Sequence, residues 1–510
     1  MSDWTSGYVA DVDYTYGYYP ELNPLRVKLA LSSMGWVSPE FTNACELGYG
    51  QGLSLNIHAA ASGCAWTGTD FNPSQASFAK ELSTASTAAA RLFDDSFAEF
   101  AIRDLPDFDY IALHGIWSWI SDENRRVIVD FVGRKLKVGG VLYISYNTLP
   151  GWSSFAPMRH LMSEHANLLG APGNSIISRI NGAIEYVDKL LTTNPLYARA
   201  NPQIMDRMIK LKENNRNYLA HEYFNLDWRP MHFADVARSL ETAKLQYVCS
   251  ANYLDHIDAI NLTQEQQQFL HQIEDRNFQQ TVRDYMVNQQ FRKDYWVKGA
   301  RRLTSVEQRH NLIQQKVLLS SQKGQVKLSI LGTAGEAKLS QEIYGPILEL
   351  LSDHQPHTLD ELSSALEGQV GALTKTVEAI KLLTGQGYVH PAQSDEIVAK
   401  AAQATQRLNS HLMKLARSIG DVPYLASPVT GGAVTVNRFH QMFLMALQHG
   451  KTSPQEWVAE AWTLLRSQNQ LLTKQGNVLQ SEEENLAELA QMAKDFEENQ
   501  IPILRGMGVM

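Results

Sequence analysis

The stretch Cys45-Glu46-Leu47-Gly48-Tyr49-Gly50-Gln51-Gly52 places three glycines on alternate positions directly after a short apolar run. A residue without a side chain leaves room for a close approach, so glycines repeated at a strand end mark a place where another group must come near the main chain. The run before them reads as a strand over 43–47, and SLNIHAAAS after them reads as a helix. The local pattern is that of a cofactor loop, and the question it poses is which cofactor.

Outward from the loop, β-type runs recur at 65–69, 91–93, 109–113, 141–146 and 246–250. Between them lie helical segments: PSQASFAKELSTAS after Asp70, and ENRRVIVDFVGRKL before the turn Lys137-Val138-Gly139-Gly140. Strands alternating with helices predict a doubly wound α/β, Rossmann-like domain over 1–256. A mainly helical, polar insertion over about 152–220 interrupts it, of the kind that covers a site or makes a partner surface. A helical middle region is expected over 257–330, with QQFRKDYWVKGARR its most basic helical part. Over 331–400, three helices and a closing strand have the outline of a winged helix. Residues 401–510 read as a helical C-terminal domain that follows the loop YLASPVTGGAV and ends in a Glu-rich amphipathic segment.

Composition narrows the function. A chain of 510 residues exceeds the roughly 250–300 at which a single core stops growing, so several domains are expected. No apolar run approaches the roughly 20 residues a bilayer needs, and the N-terminal stretch has neither the basic nor the apolar region of a secretory signal. A cytoplasmic protein without an integral membrane segment is expected. Cys45, Cys64 and Cys249 are too few and scattered for a disulfide framework, and no Cys, His and carboxylate set has metal spacing. A net charge of −9 argues against nucleic acid as a partner. The winged-helix segment carries ten Asp or Glu from Gly335 to Lys400 against four Lys or Arg, which favours protein contact over DNA.

Gly48-x-Gly50-x-Gly52 departs from the dinucleotide spacing G-x-G-x-x-G, which weakens an NAD reading. Asp70, twenty residues beyond Gly50, is placed to accept hydrogen bonds from ribose hydroxyls of either cofactor class. Glu46 precedes the first glycine, and Asp94-Asp95-Ser96 follow the third strand, where a carboxylate can hold an adenine amino group. Such a pocket carries several acids and no Lys or Arg for a pyrophosphate. S-adenosylmethionine, cationic and free of phosphate, matches those charges.

Through E-L-G-Y-G-Q-G, T-D-F-N, D-D-S-F and F-D-Y-I-A-L-H-G, the chain resembles the class I S-adenosylmethionine-dependent methyltransferases. DFDYIALHGIWSWI, VLYISYNTLPGW, YLAHEYFNLDWRPMHFADVA and YLASPVTGGAVTVNRF are similar to bacterial methyltransferases with a methyltransferase regulatory domain. That group includes protein lysine methyltransferases acting on rickettsial outer-membrane protein. The resemblance is strongest over about 8–256. It implies a Rossmann-like cofactor domain followed by middle and C-terminal domains, and a possible homodimer. It also implies S-adenosylmethionine held by Glu46, Gly48, Gly50, Gly52, Asp70, Asp94, Asp95, Ser96 and His114.

Methyl transfer from a sulfonium needs an aligned nucleophile lone pair, and a lysine amine is only about one part in 10³ neutral at pH 7. Burial among aromatic rings beside the sulfonium lowers its pKa. Aromatic side chains are dense where an acceptor pocket is expected. Tyr14, Tyr16, Tyr18 and Tyr19 form a lid-like lead segment, His114, Trp117 and Trp119 follow the fourth strand, Tyr146 and Asn147 follow the fifth, and Trp152 comes soon after. Tyr14, Tyr16, His114, Trp117, Tyr146 and Asn147 are therefore the candidate catalytic residues, and no metal site is expected. Each has a packing alternative: Trp117 and Trp119 alternate, so one should face the core, and His114 serves equally well as a structural hydrogen bond. Tyr218, His221 and Glu222 either close the acceptor site or pack a helix on the core. No N/D-P-P-Y/F follows the fourth strand, which weighs against nucleobase and glutamine-amide acceptors. The expected function is methylation of lysine side chains of a protein. The alternatives are a small-molecule N- or O-methyltransferase and a non-catalytic scaffold.

Overall fold

The computed structural model describes residues 5, 7–9, 12, 14–170, 173–366 and 368–510. Its centre is a seven-stranded sheet of β1 (Asn43–Leu47), β2 (Ala65–Thr69), β3 (Arg91–Phe93), β4 (Phe108–Leu113), β5 (Leu136–Asn147), β6 (Leu245–Ser250) and β7 (Phe291–Lys298). The order is β3-β2-β1-β4-β5-β7-β6. β1 to β5 pair in parallel, and β7 runs antiparallel to β5 and β6. The chain leaves β1 toward β2 and β3 and returns on the other side at β4. A crevice therefore opens at the C-terminal ends of β1 and β4, where the strand order reverses.

Period-two alternation divides each strand between two covered faces. Ala44, Tyr110, Ala112, Val141, Tyr143 and Tyr295 join one core cluster, while Cys45, Leu47, Ile111, Leu113, Leu142 and Trp296 join another. All six residues of β4 are buried, as expected for a strand covered on both faces. The helices after the glycine loop are capped as their sequences require. Asn72 accepts the Ser74 N–H ahead of Pro73, opening the helix Pro73–Ser86, and Ser121 caps Asp122–Lys135.

The expected insertion forms the helices Ala156–Leu168, Ile176–Thr192, Gln203–Glu213 and Arg216–Tyr223, which share a cluster of their own around Phe155, Met162, Ile180 and Leu219. The C-terminal residues build a further core directly on the helices Leu53–Ala61 and Pro73–Ser86 of the sheet unit, since Leu408, Phe443 and Phe496 cluster with Leu53, Ile57 and Leu82. Among the described residues, no helix is long and apolar enough to cross a membrane.

Several expectations need correction. QQFRKDYWVKGARR is not a helix: Phe291–Lys298 is the strand β7 in the middle of one half of the sheet. Two of its charges, Arg292 and Asp294, are buried because they pair, with Arg292 lying between Asp284 and Asp294 and Tyr146 donating to Asp294 at 2.9 Å. Arg276 and Arg283 lie on the helix Arg276–Met286 while Arg292 and Lys293 lie on β7, and the sheet unit does not end at 256. The boundary at 331 also moves: strand Lys316–Leu319 pairs with His357–Thr358 and Val389–Ala392 around helices Gln341–Leu350, Leu359–Ser364 and Ala372–Gly385. No wing follows, because Val389–Ala392 runs straight into the long helix Asp395–Leu415. The loop YLASPVTGGAV forms the hairpin Tyr424–Ser427 with Gly432–Thr435.

Candidate active site

The glycine loop is shaped by conformation and by crowding. Gly48 has φ +72°, and a Cβ there would lie 2.4 Å from Ile116 Cδ1; Gly52 has φ +67°, and its Cβ would lie 2.5 Å from that of Ala79. A side chain at either position would strain the backbone and displace the next layer. The loop is latched to the second strand: the Gly48 N–H donates to the Thr69 carbonyl at 2.8 Å, and the Gly50 N–H donates to Asp70 Oδ2 at 2.8 Å. Asp70 Oδ1 accepts the Asn72 N–H at 3.0 Å. Burial nevertheless pushes the Asp70 carboxyl up to about 6, these two N–H bonds opposing the rise.

Above the loop lies a cavity of about 500 Å³, within the roughly 300–1,000 Å³ usual for small-molecule sites. Its wall includes Gly48, Gly50, Gly52, Asp70, Phe71, Asp95, Ser96, Phe97 and His114, with Tyr8, Tyr14 and Tyr19 from the N-terminal segment. Among the described lining residues there are five acids, Asp70, Asp95, Glu123, Glu222 and Asp227, and no Lys or Arg. A second cavity, of about 820 Å³, runs under the insertion past Trp119, Asn147, Trp152, Phe155, Tyr218 and Tyr223. Both cavities are lined by Tyr14, Tyr19, His114, Trp119 and Glu222, so they meet at those side chains.

The junction is closely packed with aromatic side chains. The Tyr19 ring stacks on His114 with centroids 3.6 Å apart, and the Tyr14 and Tyr19 hydroxyls bond to each other. His114 Nδ1 lies 2.9 Å from the Tyr143 hydroxyl, and burial holds its pKa down to about 4, so the imidazole is neutral at pH 7. Burial pushes the Glu222 carboxyl up to about 7. The Trp119 indole donates to the Glu222 carbonyl at 3.3 Å.

Several sequence candidates lie elsewhere. Trp117 is 1% exposed and packs in the core, while Trp119 faces the cleft; the segment is a short helical turn, which separates the two rings. Tyr146 belongs to β5 itself and is buried against Asp294. Tyr16 packs on Phe78 at 5.2 Å, turned away from both cavities. Asp94 is exposed and pairs with Lys80 at 3.0 Å, and the Asp95 carboxylate is engaged by Arg103. Glu46 is buried below the loop, 1% exposed and outside the lining, and burial together with Asp70 pushes it up to about 8. Ser96 lines the first cavity while capping the helix Phe97–Ala101, and Asn147 lines the second. Tyr8, Phe71 and Phe97 are not among the sequence candidates, although Phe71 and Phe97 stand in T-D-F-N and D-D-S-F. Tyr8 sits in the Tyr-rich lead segment, but its partners Phe71 and His221 are remote in the chain.

Residues 215–298 match the model of a predicted methyltransferase regulatory domain. In space that segment supplies helix Arg216–Tyr223 at the junction and strands β6 and β7 of the main sheet. The chain is 39% identical to the uncharacterized protein sll1526 of Synechocystis sp., covering 99% of each. It is 27% identical to the uncharacterized protein RP789 of Rickettsia prowazekii over 56% of this chain and 54% of that one. Among solved structures, PKMT2 from Rickettsia typhi in complex with AdoHcy superposes with a TM-score of 0.70 over 97% of this chain and 99% of that one, at 16% identity. The likeness shows a shared fold over nearly the whole length. With the sheet order, the glycine loop, the regulatory-domain match and the near full-length relative all in agreement, the chain belongs to one family with sll1526, carries a predicted methyltransferase regulatory domain and has the fold of the class I methyltransferases.

Proposed function

We propose that the protein transfers the methyl group of S-adenosylmethionine to lysine side chains of a protein. The observation that carries this reading is the meeting of two cavities, one acidic and glycine-floored, the other aromatic, at Tyr14, Tyr19, His114, Trp119 and Glu222. The residues present fit the cofactor: a glycine loop with no room for a Cβ at Gly48 or Gly52 on the floor of the cavity, a buried Asp70, and a lining with no described cation for a phosphate. Asp70 would hold the ribose hydroxyls, and Phe71, Ser96 and Phe97 the adenine end. When bound, S-adenosylmethionine supplies an electrophilic methyl group and leaves as a neutral thioether.

The chain's own side chains do the rest. Tyr14 and Tyr19 exclude water from the junction, which favours the uncharged amine needed as nucleophile. The neutral His114 adds no repulsion against a cation. Glu222, poised near 7, pairs with the incoming ammonium and takes its proton, a role for which its pKa is well matched near neutral pH. The more than 200 residues beyond the cofactor unit then select the polypeptide, which a small-molecule acceptor would not require.

The test is label transfer from methyl-tritiated S-adenosylmethionine into separated protein and small-molecule fractions of a cell extract, followed by acid hydrolysis. Label in methylated lysine is the expected result. Label confined to small molecules would replace this reading with a metabolite enzyme, and none anywhere, despite cofactor binding, with a scaffold.

A further inference from the structure

The acceptor cavity already holds a cation of its own chain. Arg207, on helix Gln203–Glu213, sets its guanidinium carbon 3.9 Å from the centroid of the Trp152 ring and 4.4 Å from that of Phe155. It also hydrogen-bonds the Tyr223 side chain. The three rings pack on one another with centroids 5.9 to 6.3 Å apart, forming an aromatic box, and all four residues line the second cavity. Nearby Lys212 has a carboxylate partner in Asp188, whereas the contacts that hold the Arg207 charge are the box rings.

We propose that the box of Trp152, Phe155 and Tyr223 is a binding site for a cationic side chain of the polypeptide acceptor, and that Arg207 occupies it until that side chain displaces it. The inference rests on the protein-lysine reading above. Ring faces attract a guanidinium or an ammonium in the same way, so the seated arginine shows what chemistry the box accepts. Displacement is feasible because the helix is an outer one, with Met205 and Ile209 exposed on either side of Arg207, and a long side chain on it can swing into water. The acceptor would then be held at two points, its target amine at Glu222 and a second cation in the box. Self-occupancy lowers apparent affinity by the fraction of time the box is filled, which discriminates against weakly cationic chains.

The test uses methylguanidinium as probe on the full-length native protein, Arg207→Ala and Arg207→Met, with indole N–H signals of Trp-labelled protein as readout and Trp152 assigned by Trp152→Phe. Arg207→Ala opens the box and should show saturable shifts of the Trp152 signal; the native protein and Arg207→Met, whose side chains fill the space, should show none. No shift in an Arg207→Ala protein that melts like the native one would overturn the proposal, as would equal shifts in all three. At limiting extract protein, Arg207→Ala should also raise initial label transfer about threefold or more. A fall would overturn displacement and make Arg207 a substrate contact. Because the methylguanidinium titration needs no catalysis, a functioning box with no label in lysine would count against the lysine reading alone.

Discussion

Replacing Glu46 by Gln should remove a pH-dependent weakness from the fold. Glu46 is buried with Oε2 lacking a hydrogen-bond partner, and burial first, then the Asp70 charge, raise its pKa from 4.5 to about 8. Between those values the folded chain keeps a proton that the unfolded chain has released, so stability falls as pH rises, by up to about 1.36 kcal/mol per unit. Asp70 and Glu222 act in the same direction, but mostly below about 6 and about 7. His58, His114, His256 and His390, held down to about 3 to 4, act oppositely, adding stability as pH rises through 6.5 and still to a small extent between pH 7 and 8. The interval from pH 7 to 8 is therefore dominated by Glu46. Integrating the linkage there gives a loss of about 1 kcal/mol from Glu46 and about 0.3 kcal/mol from Glu222, offset by about 0.6 kcal/mol from the four histidines together, or about 1 °C in Tm for a chain of this length. The assay is thermal unfolding of the ligand-free protein at pH 7 and pH 8. Glu46→Gln should lose less than half of what the native protein loses across that step and should melt higher at pH 8. An unchanged slope, or a lower Tm at pH 8, would refute the reasoning.

Asp70→Asn should weaken S-adenosylhomocysteine binding about 10- to 100-fold by calorimetry, the scale of one hydrogen bond to a charged group, and unaltered affinity would remove Asp70 from the site. Glu222→Gln should lower kcat/KM and abolish an activity limb that rises through about pH 7; a mutant keeping that limb would show that another group titrates. Arg292→Met leaves Asp284 and Asp294 buried without their cation and should cost about 3–5 kcal/mol in urea unfolding, against little change if solvent enters and screens the two carboxylates.

The parallel half of the sheet was legible because parallel strands carry a local signature. Apolar runs such as NACEL and DYIAL, bounded by turn residues and followed by capped helices, need no distant partner to be recognised. The three glycines and Asp70 were legible for the same reason, since their spacing along the chain reflects a geometry made by adjacent elements. β7 was hidden because FRKDYWVK reads as a solvated face, and only Asp284 and Asp294 beside Arg292 make it stable inside a sheet.

The aromatic cavity depended on rotation as well as on composition. An aromatic-rich segment can be seen in the chain, but whether Trp117 or Trp119 turns to the cleft follows from a helical turn after β4, and whether Tyr16 does follows from Phe78 across the packing. The sequence by itself determined the cofactor cradle, because glycine, aspartate and strand end lie within 25 residues of one another and act through backbone geometry. Tertiary structure alone decided the second cavity: Tyr14, His114, Trp152, Arg207 and Glu222 come from five separated segments, and no local rule states which rings a helical insertion with its own core cluster will press over the junction.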